Sequence, residues 1–352
     1  APQTRGVSSP VNLQMVLQSE SLTTRSVGTA PAYYVFDNTS GPGFVIVSGD
    51  DVAMPVLAYS FENEFPTQEM PDNLRGWLEG VRDEINDARQ RNVQASTYVT
   101  RAWSTADAGT PVVELETALW DQTVPYNNLC PWVNRMSTYT GCTATALAIV
   151  MKYHEWPLQG VGTLPGYTTE SYQAAIESIS LGHAYDWTNM RMEYVQNQYN
   201  GTEAEAVATL MRDCAVGIRS DFGPIIGSGR TAAYVTDIPS FLIDHMGYDR
   251  ACRVVTRANY NTADWNQVMK KEIDNRRPVL YGGADSNGNG GHAFVLEGYD
   301  TNNYFSVNWG WSGQSNGYFL LSALDPYEQG AGGSDSGFNY FQNAVIGIQP
   351  DA

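Results

Sequence analysis

Between Val279 and Ile348 the chain carries five short runs rich in β-branched and aromatic residues: Val279 to Gly282, His292 to Gly298, Tyr304 to Trp309, Gly317 to Leu321 and Ala344 to Ile348. Runs of this length, bounded by Gly, Asn, Asp and Ser, predict β-strands. Upstream of them, Ala144 to Tyr153, Glu203 to Val216 and Ala263 to Asn275 have the apolar content and length of helices. Helices first and an antiparallel sheet later predict an α+β domain of roughly 240 residues starting near Pro111.

The segment before Pro111 has a character of its own. Tyr33 to Phe36 and Gly43 to Ser48 read as strands, and the turn residues Asp37 to Pro42 between them favour a hairpin. A third run, Val56 to Phe61, completes a small sheet. From Asp72 the period changes: Leu74, Trp77, Leu78, Val81, Ile85 and Ala88 fall at helical spacing, with Asp72 placed to cap the start. Asn92 to Thr110 shows neither period and reads as a linker. The 352 residues therefore divide into a small α+β unit over 1–110 and a larger α+β domain over 111–352.

Charge excludes some partners. The chain holds 38 Asp and Glu against 20 Lys and Arg, a net of -18, which argues against nucleic acid or an anionic membrane surface as the main partner. Residues 1–109 hold 13 acidic and 7 basic side chains, so both units are acidic and charge attraction does not dock them. The apolar stripe of the helix and the strand edges are the better candidates. A charged fraction of only 16% with 21 Tyr and 33 Gly suits a secreted protein. No run of apolar residues is long enough to span a bilayer. The start, Ala1-Pro2-Gln3-Thr4, lacks the basic and apolar regions of a signal peptide.

Four cysteines, Cys130, Cys142, Cys214 and Cys252, include no CxxC pair, so a structural zinc site is not expected. Each of them reads as a small buried hydrophobe or as half of a bridge. Cys142 has a further reading, because it follows Gly141 at the mouth of an apolar helix. A helix N-terminus presents unpaired N–H groups that favour a thiolate, and Gly141 lets another chain approach closely, as a substrate backbone would.

A thiolate nucleophile needs a base, and there are four histidines. His154 lies about three turns along the helix from Cys142, out of reach. His183 and His245 stand in loop contexts without a partner signal. His292 follows Gly288-Asn289-Gly290-Gly291 and opens a strand, and a hairpin through Tyr299 to Asn303 would return Asn308, Trp309 and Trp311 to its vicinity. An ordinary strand histidine beside core tryptophans fits the same residues. Asp285, Asn287, Asn289 and Gly290 mimic the opening of a calcium loop, but the twelfth position is Leu296 rather than Glu, so no metal is expected there.

Taken together, Gly141-Cys142-Thr143-Ala144-Thr145-Ala146 running to His154, Gly291-His292-Ala293-Phe294-Val295, and Val307-Asn308-Trp309-Gly310-Trp311 resemble the streptopain family of bacterial cysteine peptidases, which have a papain-like fold. Pro125-Tyr126-Asn127, Phe222-Gly223-Pro224 and Gly337-Phe338-Asn339 extend the likeness, and Gly43 to Asp50 is similar to the family's propeptide. Cys130, Cys214 and Cys252 are additional thiols, and the Ala284 to Gly290 loop is longer.

The resemblance implies a papain-like catalytic domain preceded by an inhibitory propeptide, which is cut within residues 92–111 on activation. It implies Cys142 as nucleophile and His292 as general base and acid. Gln122 would be an oxyanion-hole donor, and Trp309 with Asn308 would hold the imidazole. Ser228, Gly291 and Trp311 would line the substrate cleft. The expected protein is a secreted, cell-surface or periplasmic bacterial endopeptidase acting on proteins or peptides, with its own propeptide in cis and no cofactor. A hydrophobic residue two before the scissile bond is the family's taste. The competing readings are a catalytically silent papain-like binding protein and, for residues 1–110 alone, a propeptide-related inhibitor.

Overall fold

The computed structural model describes residues 11–19, 30–105, 109–225, 230–283, 292–324 and 342–351. The N-terminal unit opens with four antiparallel strands, β1 (Leu13–Gln18), β2 (Tyr33–Asn38), β3 (Phe44–Ser48) and β4 (Val56–Ser60). Of these, β1 was not legible as a strand. Helix α1 (Asp72–Gln90) buries Leu74, Trp77, Leu78, Val81, Ile85 and Ala88, as their spacing predicts. Its N-cap is Pro71 with no side-chain cap bond, so Asp72 is the first helical residue and not the cap. A carboxylate in that first turn still suits the positive end of the helix dipole.

The expected linker holds a helix. In α2 (Thr97–Ser104) the Ser96 hydroxyl accepts from the Val99 N–H at 3.2 Å, capping the start. Val99 is fully buried among Met54, Tyr59, Tyr304 and Leu320, and the Trp103 indole donates to the Ala53 carbonyl at 3.0 Å. Two turns with one buried residue leave no period to count, which is why the sequence reads as linker. Past it, a Cβ on Gly109 would overlap the Asp300 carboxylate, so the chain passes very close to that residue. It then forms β5 (Pro111–Glu114).

The larger domain has a helical part and a sheet part. Helix α3 (Cys142–His154) is apolar all round and is buried from Thr143 to Lys152, so it forms the centre of the helical core. Two small ladders follow, β6 (Thr163–Leu164) with β9 (Ile179–Ser180), and β7 (Tyr167–Thr168) with β8 (Ala175–Ile176) between them. Helix α4 (Gly201–Gly217) starts with a capping box between Asn200 and Glu203 and packs on α3. Helix α5 (Ile238–His245), too short to be read from periodicity, and α6 (Thr262–Asp274) complete the helices.

The sheet part comprises β10 (Arg253–Thr256), β11 (Val279–Gly283), β12 (His292–Asp300), β13 (Phe305–Asn308), β14 (Gly317–Phe319) and β15 (Asn343–Ile346). The five strands expected after Val279 are all present and pair antiparallel; β5 and β10 were missed. The two units share one sheet of eleven strands, ordered β1-β2-β3-β4-β14-β13-β12-β11-β15-β10, with β5 also on β12. The junction is β4 against β14, with Tyr59 opposite Tyr318 and Ala58 opposite Phe319. Helix α1 lies on the joined sheet, and Trp77 meets Phe319 edge-on at 5.0 Å between ring centroids. All four cysteines are free thiols.

Candidate active site

Gly141 has φ +89, and a Cβ there would fall 2.8 Å from the Thr231 carbonyl oxygen. The close approach that this glycine permits is therefore by the chain's own Thr231 loop, not the substrate-like backbone expected from sequence. Immediately beyond it Cys142 begins α3. Its sulfur accepts hydrogen bonds from the Thr143 and Ala293 backbone N–H groups and engages the Thr143 side chain, all of which favour the thiolate. Burial outweighs them and pushes the Cys142 thiol above its ordinary value, and the nearby Asp72 carboxylate pushes it the same way.

Since Ala293 follows His292, that N–H brings the start of β12 to the mouth of α3. His292 pairs with Gly283 at the first rung of the β11–β12 ladder. Its ring is covered by α1: a Cβ on Gly76 would overlap His292 Cδ2 and stand 3.0 Å from Nε2. One turn earlier the buried Asn73 amide donates to the Ala293 carbonyl at 3.1 Å and to the Trp309 carbonyl at 2.6 Å. Helix α1 thus closes the cleft over the Cys142 and His292 elements.

Gln122 is half-buried, and its carbonyl accepts from the Thr140 N–H at 3.2 Å, two residues before Cys142. Asp121 accepts from the Gln122 N–H and, at 3.1 Å, from the Ser312 hydroxyl, tying this segment to the loop after Trp311. Trp309 is buried against Phe294 and Phe319 at 4.8 and 4.9 Å, and its indole donates to the Ser315 carbonyl. Asn308 stands opposite Val295, three residues from His292. Its amide donates to Thr117 Oγ1 at 2.9 Å and to the Ala118 carbonyl at 3.0 Å, while its Oδ1 accepts from the Gly310 N–H. The hairpin therefore brings Trp309 to the site and turns the Asn308 side chain onto the Thr117 segment. Trp311 is partly buried, with its indole N–H unpaired.

Residues 120–319 match the model of the peptidase C10 family. The chain belongs to the peptidase C10 family. It is a streptopain-like cysteine peptidase in its proform, and residues 5–85 match the Spi protease inhibitor family. It is 32% identical over 341 residues to streptopain of Streptococcus pyogenes, covering 90% of this chain and 80% of that protein. It is 33% identical over 327 residues to the thiol protease/hemagglutinin PrtT of Porphyromonas gingivalis, covering 90% of this chain but only 37% of that protein. The structure of prointerpain A from Prevotella intermedia superposes with a TM-score of 0.77 at 29% identity, over 97% of this chain and 100% of that one. Active interpain A covers 68% of this chain and 95% of its own, with a TM-score of 0.58 at 35% identity.

Within this C10 proform, the propeptide residues that meet the catalytic side were not singled out from sequence. Asn73 is a polar residue beside the apolar stripe of α1, and Gly76 is a glycine inside a helix, where it costs about 1 kcal/mol relative to Ala. Each breaks a local rule at the point of contact, and that was the available signal. Ser228, Gly291, the Asp285 to Gly290 calcium-like run and Gly337-Phe338-Asn339 lie outside the described residues. No group of metal-ligating side chains occurs among the described residues.

The other histidines have structural partners. His183, which carries no partner signal in the sequence, lies 2.6 Å from the buried Asp213, which also accepts from Tyr185 and Arg212. His245 meets the Val161 carbonyl at 2.9 Å. Burial lowers His154 to about 4.

Proposed function

We propose that the chain is the zymogen of a secreted cysteine endopeptidase in which Cys142 is the nucleophile and His292 the general base and acid. The observation that carries this is the hydrogen bond from the Ala293 N–H to the Cys142 sulfur, which brings the residue after His292 against the thiol. In the processed enzyme the His292 imidazole takes the Cys142 proton and the thiolate attacks the scissile carbonyl. The tetrahedral oxyanion is met by the Cys142 N–H at the free end of α3 and by the Gln122 side-chain amide. Imidazolium then protonates the leaving amine, and water activated by His292 hydrolyses the thioester. Trp309 packs the floor beside β12 and holds the imidazole, Trp311 walls the cleft, and Ser228 and Gly291 line it. Asn308 acts at one remove, fixing the Thr117 segment.

Residues 1–110 are the inhibitory propeptide and 111–352 the catalytic domain, with activation by cleavage between Asn92 and Pro111. Helix α2 and strand β5 are packed, which favours the exposed stretch Asn92 to Gln94 before α2 as a cut site. Protein or peptide substrates and a secreted, cell-surface or periplasmic bacterial location fit the acidic, lysine-poor composition and the described helices, of which none is long and apolar enough to cross a membrane.

Iodoacetamide labelling with peptide mapping tests the assignment. In the processed protein Cys142 is expected to label first and peptide cleavage to fall in step. Labelling elsewhere with loss of activity, or casein cleavage that survives in Cys142→Ala, would overturn it. Binding of peptides without cleavage would favour the silent binding protein instead.

A further inference from the structure

In the proform the Asp72 carboxylate of the propeptide lies 3.8 Å from the Arg230 guanidinium of the catalytic domain. Arg230 stands on a wall that is fixed to the mouth of α3. A Cβ on Gly223 would overlap the Arg230 carbonyl, so the two backbones lie in contact. Thr231 donates its hydroxyl to the Tyr139 carbonyl at 2.8 Å and accepts the Gly223 N–H at 3.2 Å. Its own carbonyl touches Gly141, and the Ala233 carbonyl accepts from the Thr143 hydroxyl at 3.3 Å. The Arg230 backbone is thus held from both sides of Cys142, while its side chain is 57% exposed. Asp72 is also near enough for its charge to push the Cys142 thiol upward, so the ion pair lies at the reacting end of the cleft.

When α1 leaves, Arg230 loses this carboxylate and faces the cleft with its charge uncompensated by Asp72. The rest of the chain from Thr110 onward is acidic, with 25 Asp and Glu against 13 Lys and Arg, so a cation on the wall at the mouth of α3 stands out. We propose that Arg230 is a specificity-determining residue that selects peptides carrying an Asp or Glu side chain next to the scissile bond, the substrate carboxylate taking the place of Asp72. This rests on the assignment of Cys142 and His292 as the reacting pair. A guanidinium can pair with a carboxylate side chain through parallel N–H bonds, whereas the neutral amide of Asn or Gln offers it a weaker acceptor.

The experiment uses processed enzyme and peptide pairs that differ only by Asp or Asn, walked one position at a time along the residues flanking the cut. At one position Asp is expected to raise kcat/KM about three- to fivefold over Asn at low salt. That ratio is expected to fall toward one in about 1 M salt, where exposed charges are screened. Arg230→Glu is expected to reverse the preference, favouring Lys over Asn at the same position. If that variant does not fold, the salt dependence of the wild-type ratio decides alone. Cleavage of the Asn peptides with an Asp to Asn ratio of one at every position would overturn the inference and leave the peptidase assignment standing. Cleavage of no peptide at all would overturn both.

Discussion

The propeptide meets the enzyme at two ends that differ in chemistry. At the cleft, Asp72, Asn73 and Gly76 touch Arg230, the Ala293 and Trp309 carbonyls and the His292 ring through polar groups and one bare backbone. At the sheet, β4 pairs with β14, Trp77 buries itself against Phe319 and donates to the Leu320 carbonyl, and Glu84 accepts from Ser322 and Ala323. The first end covers the proposed reacting groups with little apolar area. The second covers no reacting group but removes a large apolar surface from water, which is where association energy comes from. Inhibition and affinity therefore reside in different residues and can be separated by mutation.

The strongest way to break this division is at Trp77. Replacing it with Ala removes a nearly fully buried indole from the sheet end, a change of about 3–5 kcal/mol. The whole propeptide is expected to open more often, speeding iodoacetamide labelling of Cys142 by about a hundredfold or more. Amide exchange at β4 and β14 should rise with it. Faster labelling with β4 and β14 exchange unchanged would show that Trp77 supports only the cleft end.

Asn73→Ala probes the cleft alone. It leaves the Ala293 and Trp309 carbonyls without their donor, a loss of about 1–3 kcal/mol. Labelling is expected to rise about tenfold while exchange at β4 and β14 stays as in the parent. A pH profile sharpens the result. Burial and Asp72 raise the Cys142 thiol in the closed state, so its thiolate is scarce at neutral pH and the proform's labelling rate climbs only in alkali. Opening the cleft should move that rise to lower pH. A profile that does not move would mean that burial by α1 is not what holds the thiol up.

What could be read from sequence divides along similar lines. The stripe from Leu74 to Ala88, the all-apolar α3 and the strands after Val279 were legible because a regular period or a β-rich run repeats over many residues. Cys142 and His292 stand out in the sequence as a candidate pair because each sits at an element boundary beside glycine. The joining of β4 to β14 was not, since a strand edge carries no mark of which edge it will meet. The bond between His183 and Asp213 spans 30 residues and two irregular segments, beyond any local pattern. Gly141 marks a place of close approach, but nothing local in the sequence says that what approaches is the molecule's own Thr231 loop and not a substrate backbone.

The smallest expected effect is at one polar link of the sheet end. The Tyr59 hydroxyl donates to Asp300 Oδ2 at 2.8 Å, while Asp300 Oδ1 accepts from the Asn302 and Tyr304 N–H groups. Tyr59→Phe removes one of these three donors and leaves the ring stacked on Tyr318. The cost is about 1 kcal/mol, and exchange at β4 should rise about fivefold with Cys142 labelling nearly unchanged. Burial already raises the Asp300 carboxyl, and the Tyr59 bond works against that rise. A group with a raised folded-state pKa contributes stability that is fully present below its unfolded value and is lost as pH rises through the folded one. Removing a donor that favours the ionised form raises that pKa further. The variant is therefore expected to lose more stability near neutral pH than in acid, as measured by denaturant titration across that range. An equal loss at both ends would mean that the hydroxyl acts only through packing, and that its bond to Asp300 does not set the carboxyl's titration.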